Sequence, residues 1–413
     1  MVAVAAVLAI LVIGGLAAYA LGAGSSAAPS SSMSGSSSSA TSSTVLASVP
    51  FPSGGAFNTP GNLLITDQYN NRVIEVNPST SQIVWSFGSG NGSLCNPGQG
   101  AVIDPNDAER LAGGLTLIAG TGGLTPPQCV DNRVIIVNQA GNITWQYGQA
   151  GVNGSGPDEL NVPVFAVQLP NGNILITDQG NNRVIEVNST KQVVWSYGPS
   201  AGPGALNSPN SAELLTNGDV LIADEANNRV IEVDHAGDVV WQYSQGLNST
   251  AFASRLPNND TLIVDSGNSR VLEVAPNNQV VWQYFTNDSQ NSNPSPTPSG
   301  AVRLANGDTC IADQVNERIL MVNGANQTVY QYGMTNIPGV GPDQLNWPYS
   351  CSVIGDYTGQ TVPQGLGGNS SDASSAAPIH VSMQSGAGSS TNLNLSPDIA
   401  TTLRDQQQRP RMG

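Results

Sequence analysis

One motif recurs six times between Gly61 and Val322, and it constrains the fold more tightly than any other feature of the chain. Each copy reads as an apolar strand, a turn opening on Asp, an Asn-Arg pair and a second apolar strand. The clearest are LLITDQYNNRVIEV from Leu63, ILITDQGNNRVIEV from Ile174, VLIADEANNRVIEV from Val220 and TLIVDSGNSRVLEV from Thr261. TCIADQVNERILMV from Thr309 is a weaker copy, and LTLIAGTGGLTPPQCVDNRVIIV from Leu115 a degenerate one. Short strands repeating about every 40 to 60 residues predict a β-propeller, because one unit cannot bury its apolar faces alone and must stack on neighbours.

Aligning the copies on Arg72, Arg133, Arg183, Arg229, Arg270 and Arg318 defines the unit. Around Arg183 it runs through VFAVQL (Val164 to Leu169), the turn Pro170-Asn171-Gly172, ILITD, the loop Gln179 to Asn182, RVIEV, and QVVWSYG from Gln192. Four short strands separated by turn residues make one antiparallel blade. The expected fold is therefore all-β, a six-bladed β-propeller of four-stranded antiparallel blades, preceded by an N-terminal transmembrane or signal helix. The fourth strand repeats an aromatic pair, from Trp85/Phe87 to Tyr330/Tyr332, and its recurrence in every unit points to packing between blades. The first unit lacks a first strand of its own. The late segment GPDQLNWPYSCSVI matches GPDELNVPVFAVQL at Gly156 to Leu169, so Tyr349 to Ile354 is expected to pair beside the strand around Leu63 and close the ring.

The D-x-x-N-x-R-[VI] core and the linker G-x-G-x-x-x-L-N-x-P, at Gly154 to Pro163 and Gly339 to Pro348, resemble those of NHL-repeat propellers over about 300 residues. The hairpin IEVDHAGDVVWQY from Ile231 is similar to those of pyrroloquinoline-quinone and arylsulfotransferase propellers. Arylsulfotransferases rely on histidines at the ring centre. Here the two histidines are His235, in a hairpin turn, and His380, in the carboxy-terminal region, and neither suits that role.

Outside the repeats the composition changes. Residues 1–24 hold an uncharged, apolar run from Val2 to Ala20, long enough to cross a bilayer as a helix or to serve as a signal peptide cut after Ala18-Tyr19-Ala20. Residues 25–46 read as a Ser-rich disordered stalk, 47–356 as the propeller, and 357–413 as a disordered low-complexity tail ending in Arg409-Pro410-Arg411. Sequons recur from Asn91 to Asn394, compatible with a surface glycoprotein in a chain this rich in Asn, Ser and Thr. The expected location is the cell surface, or the exterior if the helix is cleaved. Charged residues make up 10% of the chain, the net charge is −16 and Lys191 is the sole lysine, so nucleic acid is disfavoured as a partner. Four cysteines suit an oxidising exterior and allow three pairings; Cys95–Cys129 and Cys310–Cys351 are the candidate disulfides, with free buried thiols as the alternative, and the second would tie the sixth blade to the closing strand.

Two sets of residues bear on chemistry. Asp67, Asp178, Asp224, Asp265 and Asp313 recur with Arg72, Arg183, Arg229, Arg270 and Arg318 five residues later. They form either a carboxylate ring able to take Ca²⁺ or, as repetition favours, structural pairs within each blade. No other cofactor is expected. On the innermost strands, one equivalent position reads Val102, Val167, Glu213, Ser254, Val302 and Ser352, and the next Ile103, Gln168, Leu214, Arg255, Arg303 and Val353. Glu213, Arg255 and Arg303, with Gln168, are candidate channel ligand-binding residues or, alternatively, an ion pair between blades. No catalytic constellation stands out. The expected function is a membrane-tethered or secreted scaffold that recognises a glycan, peptide or protein. The alternatives are a metal-dependent hydrolase or lyase resembling six-bladed lactonases, and a structural surface subunit. The sequence leaves the oligomeric state open.

Overall fold

The computed structural model describes residues 56–361 apart from 96, 99 and 124–128; the apolar amino-terminal segment, the Ser-rich stalk and nearly all of the carboxy-terminal tail lie outside the described residues. Within them the chain forms six four-stranded antiparallel sheets, each a blade. Among the described residues no helix is long and apolar enough to cross a membrane.

The two middle strands of a blade are buried on both faces, as in Ile174–Asp178, because each blade lies between two others. The buried apolar side chains fall into six clusters, and each cluster joins residues of two adjacent blades: one holds Leu63, Ile74 and Val76 with Cys310, Ile319 and Tyr332. The core is thus a ring of interfaces, each stabilised by aliphatic burial of roughly 1.5–3 kcal/mol per large side chain. The second aromatic of each pair is buried at such an interface, Tyr147 and Tyr332 completely. Trp85 also donates its indole N–H to the Gln139 carbonyl of the next blade (2.9 Å).

Ring closure follows from β24 (Pro348–Val353), which pairs with β1 (Leu63–Asp67) in the register Leu63↔Val353 and supplies the inner strand of the first blade. The Cys310–Cys351 disulfide bridges the sixth blade to this strand, and Cys95–Cys129 ties the linker after the first blade to the second.

The repeated motif is a joint between blade and linker. Asp178 Oδ2 accepts from Arg183 Nε (2.7 Å) and from Asn181 (2.7 Å), while Oδ1 accepts the Asn161 backbone N–H ahead of the inner strand (2.8 Å). Asn182, in the left-handed conformation at φ 52°, accepts the Ser208 N–H of the next blade's linker (2.7 Å). The Asp-centred bonds recur around Asp224 and Asp265, and Asn228 accepts the Ser249 N–H (2.7 Å), whereas Ser269 donates its hydroxyl to the Pro296 carbonyl (2.6 Å). In the linker, Glu159 folds back over Gly154, where an added Cβ would stand 2.1 Å from its carboxylate and would push it off the Gly156 N–H (3.0 Å).

The second blade departs from this plan in two ways. Its innermost strand is β4 (Pro105–Arg110), so the positions equivalent to Glu213 and Leu214 are Glu109 and Arg110, not Val102 and Ile103. Apolarity misplaces the strand, since its charged residues are accommodated by the channel and by the first blade, and Ile103 serves as the linker residue whose N–H is held by Asp131 (2.7 Å). Secondly, Gly120 stands where other blades have Asp, opposite Arg133. Asp131, from the facing strand, pairs with Arg133 instead, its Oδ2 only 2.7 Å from where a Cβ on Gly120 would lie.

Candidate functional site

The inner strands place three rows of side chains around the central channel. Position two of each strand carries residues such as Asn106, Asn210 and Tyr349, position three Asp107, Phe165 and Phe252, and position five Glu109 and Glu213. The rings of Phe165 and Phe252 approach to 6.0 Å, and with Tyr349 and Tyr357 they leave a cavity of about 70 Å³. One water needs ~10–15 Å³ by this measure, so the cavity has room for a few waters.

Its carboxyls are engaged with main chain. Glu109 accepts the Gln168 N–H of the next blade (2.8 Å), and Glu213 likewise accepts the Arg255 N–H (2.7 Å). The other oxygen of Glu213 accepts the Gln360 and Thr361 N–H groups (2.7 and 3.2 Å) and the Tyr357 hydroxyl (3.4 Å). Residues Tyr357 to Thr361, counted with the tail in the sequence reading, therefore pack into one mouth of the channel. Burial pushes Glu213 upward from the usual carboxyl range, the Arg255 and Thr361 N–H groups pulling the other way.

Glu213, Arg255 and Arg303 do not converge on a pocket. Arg255 pairs with Glu232 of the preceding blade (2.8 Å) and lies over Trp241, 5.1 Å from the ring centre. Arg303 repeats this with Glu273 (2.8 Å) and Trp282 (5.1 Å), and Arg110 with Glu75 (2.7 Å) and Trp85 (4.9 Å). These arginines fasten neighbouring blades by an ion pair and a cation–π contact. Where the preceding blade has Ile136 or Met321 instead of Glu, the next has Gln168 or Val353 instead of Arg. Sequence reasoning missed Asp107, Glu109 and Arg110; the proline opening β4, shared with Pro163, Pro209, Pro298 and Pro348, was the available signal.

The recurring aspartates are fully buried; both oxygens are occupied at Asp67, Asp178, Asp224 and Asp265, whereas Oδ1 of Asp313 accepts no backbone N–H, since Pro296 stands where the other blades supply the donor. Among the described residues no group of three His, Cys, Asp or Glu side chains is arranged to hold a metal ion.

The opposite mouth, on the side of the Asp-turns, is asymmetric. Gln314 donates to Gln68 (3.0 Å) and Gln68 to Asn106 (2.7 Å). Above them Tyr69 stacks on Trp347 with centroids 4.6 Å apart and planes 12° from parallel. Glu317 accepts the Trp347 N–H (2.5 Å), and Asn71 holds the Asp104 N–H (2.9 Å). Burial pushes Asp104 up to about 7, helped by Asp131, and Glu317 up to about 7, helped by Asp67. Asp107, in the channel, is pushed by burial to about 7 as well.

These shifts fix a pH dependence. A carboxyl raised in the fold favours the protonated state, so its contribution is complete below the ordinary value near 4 and is lost as pH rises through about 7. The protein is expected to melt several degrees higher at pH 5 than at pH 8, as followed by circular dichroism, and the difference should shrink in Asp107→Asn.

Six four-stranded blades around a filled channel define a six-bladed β-propeller. A model of pyrroloquinoline-quinone-type propellers, described as outer membrane protein assembly factor BamB, matches residues 130–345, more than half of the 413-residue chain, and the chain belongs to that family. The match agrees with the hairpin resemblance at Ile231 to Tyr243; the NHL likeness remains one of motif. No curated protein matches the chain. Among solved structures, a protein of unknown function from Bacteroides caccae is similar over 71% of this chain and 98% of its own, at 15% identity and a TM-score of 0.53. Virginiamycin B lyase from Staphylococcus aureus is similar over 55% of this chain and 69% of its own, at 13% identity and a TM-score of 0.41. At 15% identity the first likeness is one of fold.

Proposed function

We propose that the protein is an extracellular recognition scaffold, tethered to the membrane through Val2 to Ala20, that presents one propeller face to a protein or glycan partner. The observation that carries this reading is the closed channel. One mouth is filled by Tyr357 to Thr361, and the channel carboxyls are bound to main chain, which favours the faces as the surfaces open to a partner. Two disulfides suit an oxidising exterior. Membership of a family named for an assembly factor agrees with a role in holding other molecules.

The test places a photo-cross-linking residue in the full-length chain, in intact cells, at exposed Ile337 on the Asp-turn side or at exposed Asn217 in a β-turn on the other. A discrete adduct from one position and not the other is the expected result. Adducts from neither, together with one tightly held Ca²⁺ per chain and turnover of an ester or lactone, would replace this reading by the metal-dependent hydrolase.

A further inference from the structure

The repeat breaks most sharply at the Asp-turn mouth, between the sixth blade and the second. Where Trp347 stands, other blades carry Asp104, Val162, Ser208, Ser249 and Thr297; where Tyr69 stands, they carry Gly180, Ala226, Gly267 and Val315. Glu317 replaces Asn or Ser. Trp347 keeps a left-handed backbone at φ 56°, a conformation unfavourable for so large a side chain. Tyr69 and Trp347 are both partly exposed, and the linker leading to Trp347 exposes Ile337 and Val340.

Charge completes the picture. All ten basic side chains of the described propeller, nine arginines and Lys191, are in ion pairs. Asp104 and Glu317 are in none of these pairs, although both lie close enough to Tyr69 to raise its hydroxyl after burial does so. Of the 13 basic residues in the chain, the three left over are Arg404, Arg409 and Arg411, at its carboxy-terminal end.

We infer that the Tyr69–Trp347 platform, flanked by Asp104 and Glu317, is a docking site for a guanidinium-bearing segment, and that its occupant is the Arg409-Pro410-Arg411 end of the same chain. A guanidinium is attracted both to an aromatic face and to carboxylates, and a proline ring packs flat on an indole. Position 409 lies 48 residues beyond Thr361. At ~3.3–3.6 Å per extended residue, that length spans well over 100 Å, ample to pass from one mouth of a propeller to the other. The inference is independent of the recognition reading, because it concerns what the site binds within the chain.

The experiment titrates a synthetic peptide of residues 400–413 into full-length protein at pH 8, wild type against Arg409→Gln/Arg411→Gln. The double variant is expected to bind the peptide at least tenfold more tightly, since its own tail no longer competes. Adding Trp347→Gly, which removes the ring and relieves the positive φ, or Glu317→Gln should abolish binding while the melting temperature is retained; Trp347→Phe should restore it. Affinity should fall at pH 5, as Asp104 (facing Asp131 and Tyr69) and Glu317 (facing Asp67 and Tyr69) take up protons. Equal binding to wild type and the double variant would overturn the tail as occupant. Failure to bind either protein, or binding indifferent to Trp347→Gly and Glu317→Gln, would overturn the site. A partner adduct at Ile337 would leave the recognition reading standing in each case.

Discussion

Cys310→Ser is expected to lower the melting temperature by roughly 10 °C, the larger of the two disulfide effects. The bridge spans 41 residues. Opening a loop of that size releases about 4 kcal/mol of unfolded-state entropy, and a large domain loses about 2–4 °C per kcal/mol. Position also matters. Cys310 and Cys351 are buried, so serine leaves a hydroxyl in an apolar interface in addition to freeing β24. That strand is the one element by which the chain beyond the sixth blade joins the sheet of the first, and its loss exposes the edge of β1. Cys95 is exposed, so Cys95→Ser should cost the entropy of its 34-residue loop with no packing penalty. Thermal melts of the two variants, with the wild type in reductant as reference, would show this order. Equal melting of Cys310→Ser and wild type would mean that the seam is held by strand pairing alone.

Gly120→Asp should be nearly as damaging, by about 3–5 kcal/mol, although it restores the residue found in the other blades. Asp131 already fills the space and holds Arg133 and the Ile103 N–H, so a second carboxylate would stand against the first around one guanidinium. Burying an unmatched charge costs about that much. The double variant Gly120→Asp/Asp131→Asn recreates the arrangement at Asp67, where Asn70 donates to the carboxylate (2.8 Å) and Arg72 pairs with it (2.6 Å). It should recover most of the loss in chemical denaturation. If the double variant is no more stable than Gly120→Asp, the two arrangements are not equivalent solutions.

The swap also shows where sequence reading succeeds and where it stops. The hairpin motif is local: Asp178, Asn181, Asn182 and Arg183 lie within six positions, so their recurrence marks every regular blade. The second blade spreads the same joint over Gly120, Asp131 and Arg133, and the pattern dissolves although the interactions survive. Pro105 still marked the start of its inner strand, but apolar periodicity pointed to Val102 and Ile103. The charged residues of β4 look like a loop until the partners supplied by neighbouring blades are known.

From the sequence alone came the six-bladed ring and the closing strand at Tyr349 to Ile354, because each rests on repetition or on segments that match one another; the two cysteine pairs were candidates there, and the structure joins them. Tertiary structure alone decided where side chains point. Arg255 and Arg303 turn to Glu232 and Glu273 of the preceding blades, Glu213 holds the main chain of Gln360 and Thr361, and Tyr69 meets Trp347 across the seam. The physical reason is the geometry of a blade. Its hydrogen-bonded ladder is written in adjacent residues, whereas every side chain leaving that ladder meets residues from another blade or from the far end of the chain.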